Sequence, residues 1–135
     1  MWQIVAGIFL VLHGLVHLLY AGQSSRFFQL RPGMVWPDGS WVFSSFLGDE
    51  IVRTLASVSC LLAAIGFVVG GIAIFATQAW WRPVIVGSAA FSALIFILLW
   101  DGQAQALANK GLFAILINLV ILVALLVFRW PRFGF

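Results

Sequence analysis

The sequence predicts an all-α integral membrane protein, a four-transmembrane-helix bundle with a long aromatic interfacial loop between helices 1 and 2. The chain of 135 residues is 64% hydrophobic and only 8% charged. Its mean hydropathy is +1.13, which leaves too little polar surface to cover a water-soluble domain. Four apolar segments are each long enough to cross a hydrocarbon core of about 30 Å, which takes about 20 helical residues. They occupy most of the chain, so we predict a single domain over residues 1–135.

The four predicted spans are separated by links that contain charged, Gly or Pro residues. The first span has no charged residue, and Pro83 opens the third at a position where its missing N–H is harmless. The fourth span has one polar residue, Asn118. The predicted spans cover about 2–20, 51–76, 83–100 and 111–128.

Two predicted spans carry glycines at spacings that favour close helix packing. Gly7 and Gly14 share one face of the first span, and Gly66 and Gly70 form a small-xxx-small motif in the second. Small residues at these spacings let two helix backbones approach closely. We therefore predict tight packing on these faces.

Residues 21–50 form the longest piece outside the predicted spans. Aromatic and aliphatic side chains run through it, together with Arg26 and Arg31. Rings that are apolar on one side and wet on the other favour the headgroup zone, so we predict a loop folded onto the membrane surface. All seven tryptophans lie in this loop or at predicted span ends, as an aromatic belt requires.

The positions of the basic residues predict on which side of the membrane the two termini lie. Arg82, Arg129 and Arg132 share a side with both termini and have no acidic residue near them. Positive residues that flank spans favour the cytoplasmic side, so we expect both termini in the cytoplasm. The count alone does not decide, because the opposite side has four basic residues and all four acidic ones. Those basic residues are Arg26, Arg31, Arg53 and Lys110.

A polar layer is predicted inside the bundle. His13, His17 and Tyr20 fall on one stripe of the first span, because positions four and seven apart share a helical face. Measured from the loop side, His13 lies about 10 Å deep and His17 about 5 Å deep. Polar residues of the other spans lie at similar depths, about 9 to 14 Å. They are Ser57, Ser59, Cys60, Ser92 and Asn118.

This layer has two readings, one as a ligand site and one as a structural element. Ionisable residues within a span normally face the bundle interior and mark a site. Neutral imidazole and phenol groups would hydrogen-bond a quinone-like headgroup or carry protons. In the structural reading, the histidines bond to Ser or Asn of neighbouring helices and contribute about 0.6 to 2 kcal/mol per bond. The candidate ligand-binding residues are His13, His17, Tyr20, Ser57, Asp101 and Asn118.

His13 and His17 also have the spacing of a metal-binding pair, since imidazoles at i and i+4 reach the same point. A metal site needs a third ligand, which Asp101 or Glu50 supplies only if the rim of the bundle folds inward. Haem is disfavoured because its two histidines usually come from different helices and the chain has no third histidine. The sequence requires no cofactor.

Several classes of protein are excluded by composition. Seven scattered Lys or Arg residues, with a net charge of +3, do not form a nucleic-acid surface. A single cysteine, Cys60, allows no intramolecular disulfide and no Cys-x-x-Cys chemistry. A transporter is disfavoured because four spans enclose little volume and no internal repeat or broken helix is detectable.

Two function hypotheses remain. No nucleophile–base constellation is present, so the first is a non-catalytic accessory subunit of a larger membrane complex, or a homo-oligomeric membrane component. The second is a ligand-binding or redox module in which His13, His17 and Tyr20 meet a quinone-like headgroup or a metal.

The run HGLVHLLY near the N-terminus and the segment KGLFAILINLVILVALL after the last polar link resemble small uncharacterised bacterial four-helix membrane proteins called DoxX-like. The resemblance covers the first and last spans. It implies a four-helix bundle in the bacterial cytoplasmic (inner) membrane, in some members linked to quinone or thiol redox work. Because Cys60 is alone, the thiol part does not carry over.

Overall fold

The computed structural model describes residues 1–135 as an all-α chain without strands. A 3-10 turn precedes the last α-helix, and that helix continues as a π-helical turn. Consecutive helices pack on one another in chain order. The all-α fold class predicted from the sequence is therefore confirmed. The elements are α1 (Trp2–Ser24), α2 (Asp49–Phe75), α3 (Trp81–Leu98), the 3-10 turn Leu107–Lys110, α4 (Leu112–Leu122) and the π-helical turn Val123–Val127.

Three of the helices, α1, α2 and α3, are long and apolar enough to cross a membrane. Their outward faces carry large apolar side chains, such as Leu12 and Leu62, which are 56% and 55% exposed. The fourth apolar helix, Leu112–Val127, is shorter and rises about 24 Å. The structure thus has three helices of spanning length where the sequence predicts four spans.

The end of α1 lies further along the chain than predicted, at Ser24 rather than near residue 20. Beyond it Arg26 has a left-handed backbone with φ of 62°. The N–H of Arg26 bonds to the carbonyl of Gln23, and the N–H of Phe27 to that of Gly22. This is a Schellman arrangement, which satisfies carbonyls that a helix end leaves free. Gly22 and Gln23, which the sequence assigned to the loop, therefore belong to the helix.

Glycines set the closest approaches between helices. A Cβ on Gly14 of α1 would lie 3.0 Å from the carbonyl oxygen of Ala64, and one on Gly71 of α2 would lie 3.0 Å from that of Gly7. On the other side of α2, Gly66 faces Ser88 of α3 without room for a methyl group. The backbones of α1 and α3 thus both lie close against α2, as small residues in membrane helices allow.

The loop between α1 and α2 does more than lie on a surface, because it inserts a tryptophan into the bundle. Trp36 is only 2% exposed and stacks on Phe96 of α3, with ring centroids 5.2 Å apart. Tyr20 of α1 packs edge-on against both rings, at 5.3 Å from Trp36 and 5.0 Å from Phe96. We call Tyr20, Trp36 and Phe96 the aromatic plug. Trp36, and Trp81 at 3% exposure, therefore do not belong to the predicted surface belt.

The same loop caps the C-terminal end of α3. The last carbonyls of a helix have no partner within it. Here Ser40 Oγ donates to the carbonyl of Leu98, and the indole Nε1 of Trp41 donates to that of Ile97 at 2.8 Å. The backbone N–H of Trp41 also donates to the carbonyl of Trp100 at 2.8 Å. The loop is thus fixed to the bundle by backbone as well as side-chain groups.

At the opposite end, Arg82 joins the start of α3 to the end of the chain. Its guanidinium donates to the carbonyl of Leu125 at 3.1 Å and to that of Pro131 at 2.8 Å. It also lies over the ring of Trp81, 5.1 Å from the centroid. The π-helical turn leaves carbonyls without helical partners, and Arg82 supplies one of them with a donor.

Candidate functional site

Four buried polar side chains from three helices form one connected set. His13 Nε2 lies 2.9 Å from Oδ1 of Asn118, and Nδ2 of Asn118 donates to Oγ of Ser92 at 2.8 Å. Ser92 Oγ lies 2.7 Å from Nε2 of His17, and Nδ1 of His17 lies 2.8 Å from the carbonyl oxygen of His13. The bonds close on themselves, so we call His13, Asn118, Ser92 and His17 the hydrogen-bond circuit. Each member is 5% exposed or less.

The carbonyl oxygen of His13 determines which atom donates in each of the four hydrogen bonds of the circuit. The carbonyl oxygen of His13 can only accept, so Nδ1 of His17 carries the hydrogen and Nε2 of the neutral ring accepts from the Ser92 hydroxyl. The Ser92 oxygen then accepts from the amide nitrogen of Asn118, and the amide oxygen accepts from Nε2–H of His13. Four donors meet four acceptors. With both imidazoles neutral, the bonded atoms of the circuit need no outside partner.

Aromatic rings enclose the two imidazoles. Phe67 of α2 packs edge-on against His13 at 4.7 Å and lies 5.1 Å from His17. Phe9 stacks parallel to His13 at 6.0 Å, and Phe96 of the aromatic plug lies 6.0 Å from His17. Helix α2 thus contributes an apolar wall and no hydrogen-bonding group to the circuit. This surrounding keeps water away and strengthens the bonds inside.

Among the candidate ligand-binding residues, the structure brings together His13, His17 and Asn118, and it places the others elsewhere. Ser57 faces the end of α1, where its Oγ lies 2.8 Å from that of Ser25 and donates to the carbonyl of Ala21 at 3.3 Å. Tyr20 belongs to the aromatic plug, so Phe96 separates it from His17. His13, His17 and Tyr20 lie along one face of α1, but the ring of Phe96 packs between His17 and Tyr20.

Asp101 stays outside the bundle. It forms an ion pair with Lys110, with Oδ2 and Nζ 2.8 Å apart, and its Oδ1 accepts from the backbone N–H of Gln103 at 2.9 Å. Partial burial by itself would raise the pKa of Asp101. The hydrogen bonds from Lys110 and Gln103 and the charge of Lys110 outweigh this and hold that pKa below its ordinary value. The carboxylate thus orders the link between α3 and α4.

The chain places no third ligand next to His13 and His17, the predicted metal-binding pair. His13 and His17 lie close, with ring centroids 4.8 Å apart at 85°. However, no group of three His, Cys, Asp or Glu side chains lies where it could hold a metal ion. The inward folding of the rim that a third ligand would require does not occur, because Asp101 is paired with Lys110 and Glu50 lies exposed in the first turn of α2.

Two buried polar residues with several hydrogen bonds were not among the sequence-based candidates. Ser92 was placed in the polar layer by depth but was not among the candidate ligand-binding residues, although it links His17 to Asn118. Gln23 falls in the predicted interfacial loop 21–50, yet it is fully buried in the last turn of α1. Its Nε2 donates to the carbonyls of Met34 and Trp36, and its Oε1 accepts from the N–H of Leu30. A glutamine next to an apolar run was the only sequence signal.

Beside the circuit, α1 and α4 separate into an apolar cleft of about 390 Å³. Phe9 and Ile117 lie at its inner end, each close in sequence to a circuit residue, and Trp2 and Trp130 lie at the outer end. All of its lining residues are apolar. The bond from His13 to Asn118 lies beyond the inner end, and at the outer end Trp2 and Trp130 pack edge-on with ring centroids 6.0 Å apart. We call this groove the α1–α4 cleft.

Comparison of the chain with protein-family models, with curated proteins and with solved structures finds no match. The DoxX-like resemblance of the first and last apolar segments therefore stays a prediction. The fold and the circuit alone therefore define the class, an all-α protein with three helices long and apolar enough to cross a membrane and a buried hydrogen-bond circuit.

Proposed function

We propose that the chain is a non-catalytic integral membrane protein of the bacterial cytoplasmic membrane, with four spans and both termini in the cytoplasm. It acts as an accessory subunit of a larger membrane complex or as a small homo-oligomer. In this proposal Leu112–Val127 is the fourth span. Its rise of about 24 Å is short for a hydrocarbon core of about 30 Å, and local thinning of the bilayer or the flanking residues accommodate the difference.

One observation carries the non-catalytic assignment, namely the closed hydrogen-bond circuit. A catalytic or transport site keeps polar groups free for a substrate, whereas here the bonded donors and acceptors of His13, His17, Ser92 and Asn118 serve one another. Interhelical bonds of this kind hold membrane helices at a fixed rotation and height. The circuit thus supports a structural role, in which it joins α1, α3 and α4.

The outward faces of the helices support assembly within a bilayer. Side chains such as Leu62 of α2 and Val120 of α4, at 55% and 68% exposure, present continuous apolar surface on both sides of the bundle. Lipid or another helix covers such surface in a membrane. Native mass spectrometry in a gentle detergent tests the assembly. We expect an oligomer or a stoichiometric partner protein, and a monodisperse monomer without a co-purifying protein would overturn the proposal.

Topology is tested by single cysteines in a Cys60→Ser background. A membrane-impermeant maleimide applied to intact spheroplasts should label Gln103→Cys, which lies in the link after α3. It should label Thr77→Cys, in the turn before α3, and Gly134→Cys only after lysis. Labelling of Gly134→Cys in intact spheroplasts, with Thr77→Cys still protected, would show that α4 does not cross the membrane. Labelling of Thr77→Cys before lysis would reverse the orientation.

A second candidate function, binding of a quinone-like headgroup, is favoured by the position of the α1–α4 cleft. The inner end of the cleft reaches Phe9, which stacks on His13, and Ile117, which precedes Asn118. A headgroup carbonyl there would compete for the Nε2–H of His13, with its tail in the cleft. A short-chain quinone should then raise the Tm of the wild type and leave that of His13→Phe unchanged. No shift of the wild type would remove this candidate.

A further inference from the structure

We propose that the α1–α4 cleft holds one acyl chain of an anionic phospholipid, whose phosphate binds Arg129 and Arg132 at the outer end of the cleft. This inference rests on the proposed membrane insertion. It adds a lipid site that the assembly proposal does not require. The shape of the cleft, its lining and the charges at its mouth carry it.

The shape of the cleft suits a single hydrocarbon chain. From Trp2 to Leu10 helix α1 rises about 12 Å, which is close to the depth of one leaflet in a hydrocarbon core of about 30 Å. The volume of 390 Å³ lies at the low end of the range of about 300 to 1,000 Å³ for small-molecule pockets. The hydrogen bond between His13 and Asn118 joins α1 to α4 beyond the inner end of the cleft, at about the depth where the leaflet ends. A chain that enters from the outer end therefore stops near the bilayer midplane.

The lining favours a chain rather than a polar group. Residues such as Val5, Ile121 and Leu125 surround the cleft, and no polar side chain lines it. A headgroup at the inner end would have to break the bond between His13 and Asn118 to find a partner, whereas a methyl terminus breaks nothing. The lining therefore places the apolar end of the occupant innermost.

The mouth of the cleft is positively charged. Arg129 and Arg132 flank Trp130 and Pro131, which line the cleft, and both arginines are exposed. Neither makes an ion pair, since the single ion pair of the chain joins Lys110 to Asp101 at the other end of the bundle. No Asp or Glu belongs to this end. Guanidinium groups bind phosphate in bidentate geometry, so a phosphodiester complements this mouth.

The competing occupants fit less well. A quinone would place its polar group at the apolar inner end. A helix of a second copy would need a surface far larger than a groove about 12 Å long on α1. A zwitterionic phospholipid offers the same chain but carries a cation beside its phosphate, which weakens the attraction of the arginines. The charge of the mouth thus selects an anionic lipid.

Native mass spectrometry of the detergent-purified protein with added lipid tests the proposal. The probes are phosphatidylglycerol and phosphatidylcholine with identical acyl chains. We expect one phosphatidylglycerol adduct that survives collisional activation, with a preference over phosphatidylcholine of at least about fivefold, the contribution of a single basic residue near an anionic lipid. Equal retention of the two lipids, retention of a quinone mass instead, or a dimer that excludes lipid would overturn the proposal.

Matched variants locate the site. Arg129→Gln/Arg132→Gln should abolish the preference, whereas Arg31→Gln/Arg53→Gln removes the same charge from the other end and should keep it. Val120→Trp fills the cleft and should remove the adduct, whereas Val127→Trp, equally exposed at 68% but outside the cleft, should not. If Val120→Trp fails to fold, the arginine pair alone decides. Membrane insertion is checked separately by resistance to carbonate extraction, so loss of lipid preference in an inserted protein contradicts only the lipid site.

Discussion

The Nε2–H of His13 donates to Oδ1 of Asn118 at 2.9 Å, and this is the only side-chain hydrogen bond between the first and last helices. It lies where the α1–α4 cleft ends. Because α1 and α4 have little backbone packing of their own, this bond links the two helices, and the contact of Trp2 with Trp130 links α1 to the segment after the last helix. The stability of the contact between α1 and the C-terminal part of the chain therefore depends on a few side chains.

Asn118→Leu should lower the stability of the protein in detergent by about 1 to 2 kcal/mol, because it keeps side-chain size but leaves the Nε2–H of His13 without an acceptor and the Ser92 oxygen without its donor. Thermal unfolding followed by circular dichroism measures the change. Leu119→Ala, next in sequence and 46% exposed, is the control and should have a smaller effect. An unchanged Tm for Asn118→Leu would mean that the circuit contributes little to stability.

The direction of the circuit predicts two different tautomers. His17 should carry its hydrogen on Nδ1, because the carbonyl of His13 accepts from that atom, and His13 should carry its hydrogen on Nε2. Nitrogen-15 chemical shifts of the imidazoles in detergent micelles distinguish the tautomers. Ser92→Ala should alter the His17 signals strongly, and Ser45→Ala, in the exposed loop, should not. Detection of the Nε2–H tautomer at His17 would reverse the assigned direction.

Gly71→Ala should destabilise the packing of α1 against α2. A methyl group there would lie 2.7 Å from Cγ2 of Val11 and 3.0 Å from the carbonyl of Gly7, and overpacking of this kind costs about 1 to 3 kcal/mol. Gly87→Ala is the matched control, since a methyl group on Gly87 meets nothing within 4 Å and alanine favours the helix by up to about 1 kcal/mol. Opposite shifts in Tm are expected. A stabilised Gly71→Ala would contradict the close packing.

Gln23→Leu should release the loop from the bundle. The change removes hydrogen bonds to Met34, Trp36 and Leu30. The buried carbonyl of Met34 is left without a partner, at about 1 to 3 kcal/mol, whereas Arg26 still donates to the carbonyl of Trp36. Trypsin should then cleave faster than in the wild type after Arg26, the loop arginine that is not followed by proline. Gln29→Leu, which removes one exposed bond to Gly33, is the control. Equal cleavage rates for the two variants would show that Gln23 does not fix the loop.

The ion pair of Asp101 with Lys110 should make stability depend on pH at the acid side. The folded pKa of Asp101 is depressed, so the unfolded chain takes up its proton first as the pH falls. The stabilisation is present above the unfolded pKa of about 3.9 and is lost as the pH falls through the lower folded pKa. The Tm of Asp101→Asn should lie below that of the wild type at pH 7, and the two should converge near pH 3. Asp38→Asn, which breaks no ion pair, should show no such convergence.

Hydropathy and helical periodicity alone determine a good part of this molecule. They predict the all-α class, because the apolarity of a helix is a local property that needs no partner. Counting residues from the span ends also placed His13, Ser92 and Asn118 at similar depths, because the rise per residue of a helix is constant. The structure joins these three residues in the circuit.

Only the tertiary structure decided which of these polar residues meet. The rotation of each helix about its axis depends on packing. In the packed bundle Ser57 of α2 faces Ala21 and Ser25 at the end of α1 and not the circuit. The sequence predicted that the loop lies on the membrane surface. Aromatic residues suit a protein interior equally well, so the composition of the loop does not distinguish the two places. The backbone partners that Gln23 supplies select the interior for Trp36. Such long-range bonds have no signature in local sequence, since both partners look ordinary until the chain brings them together.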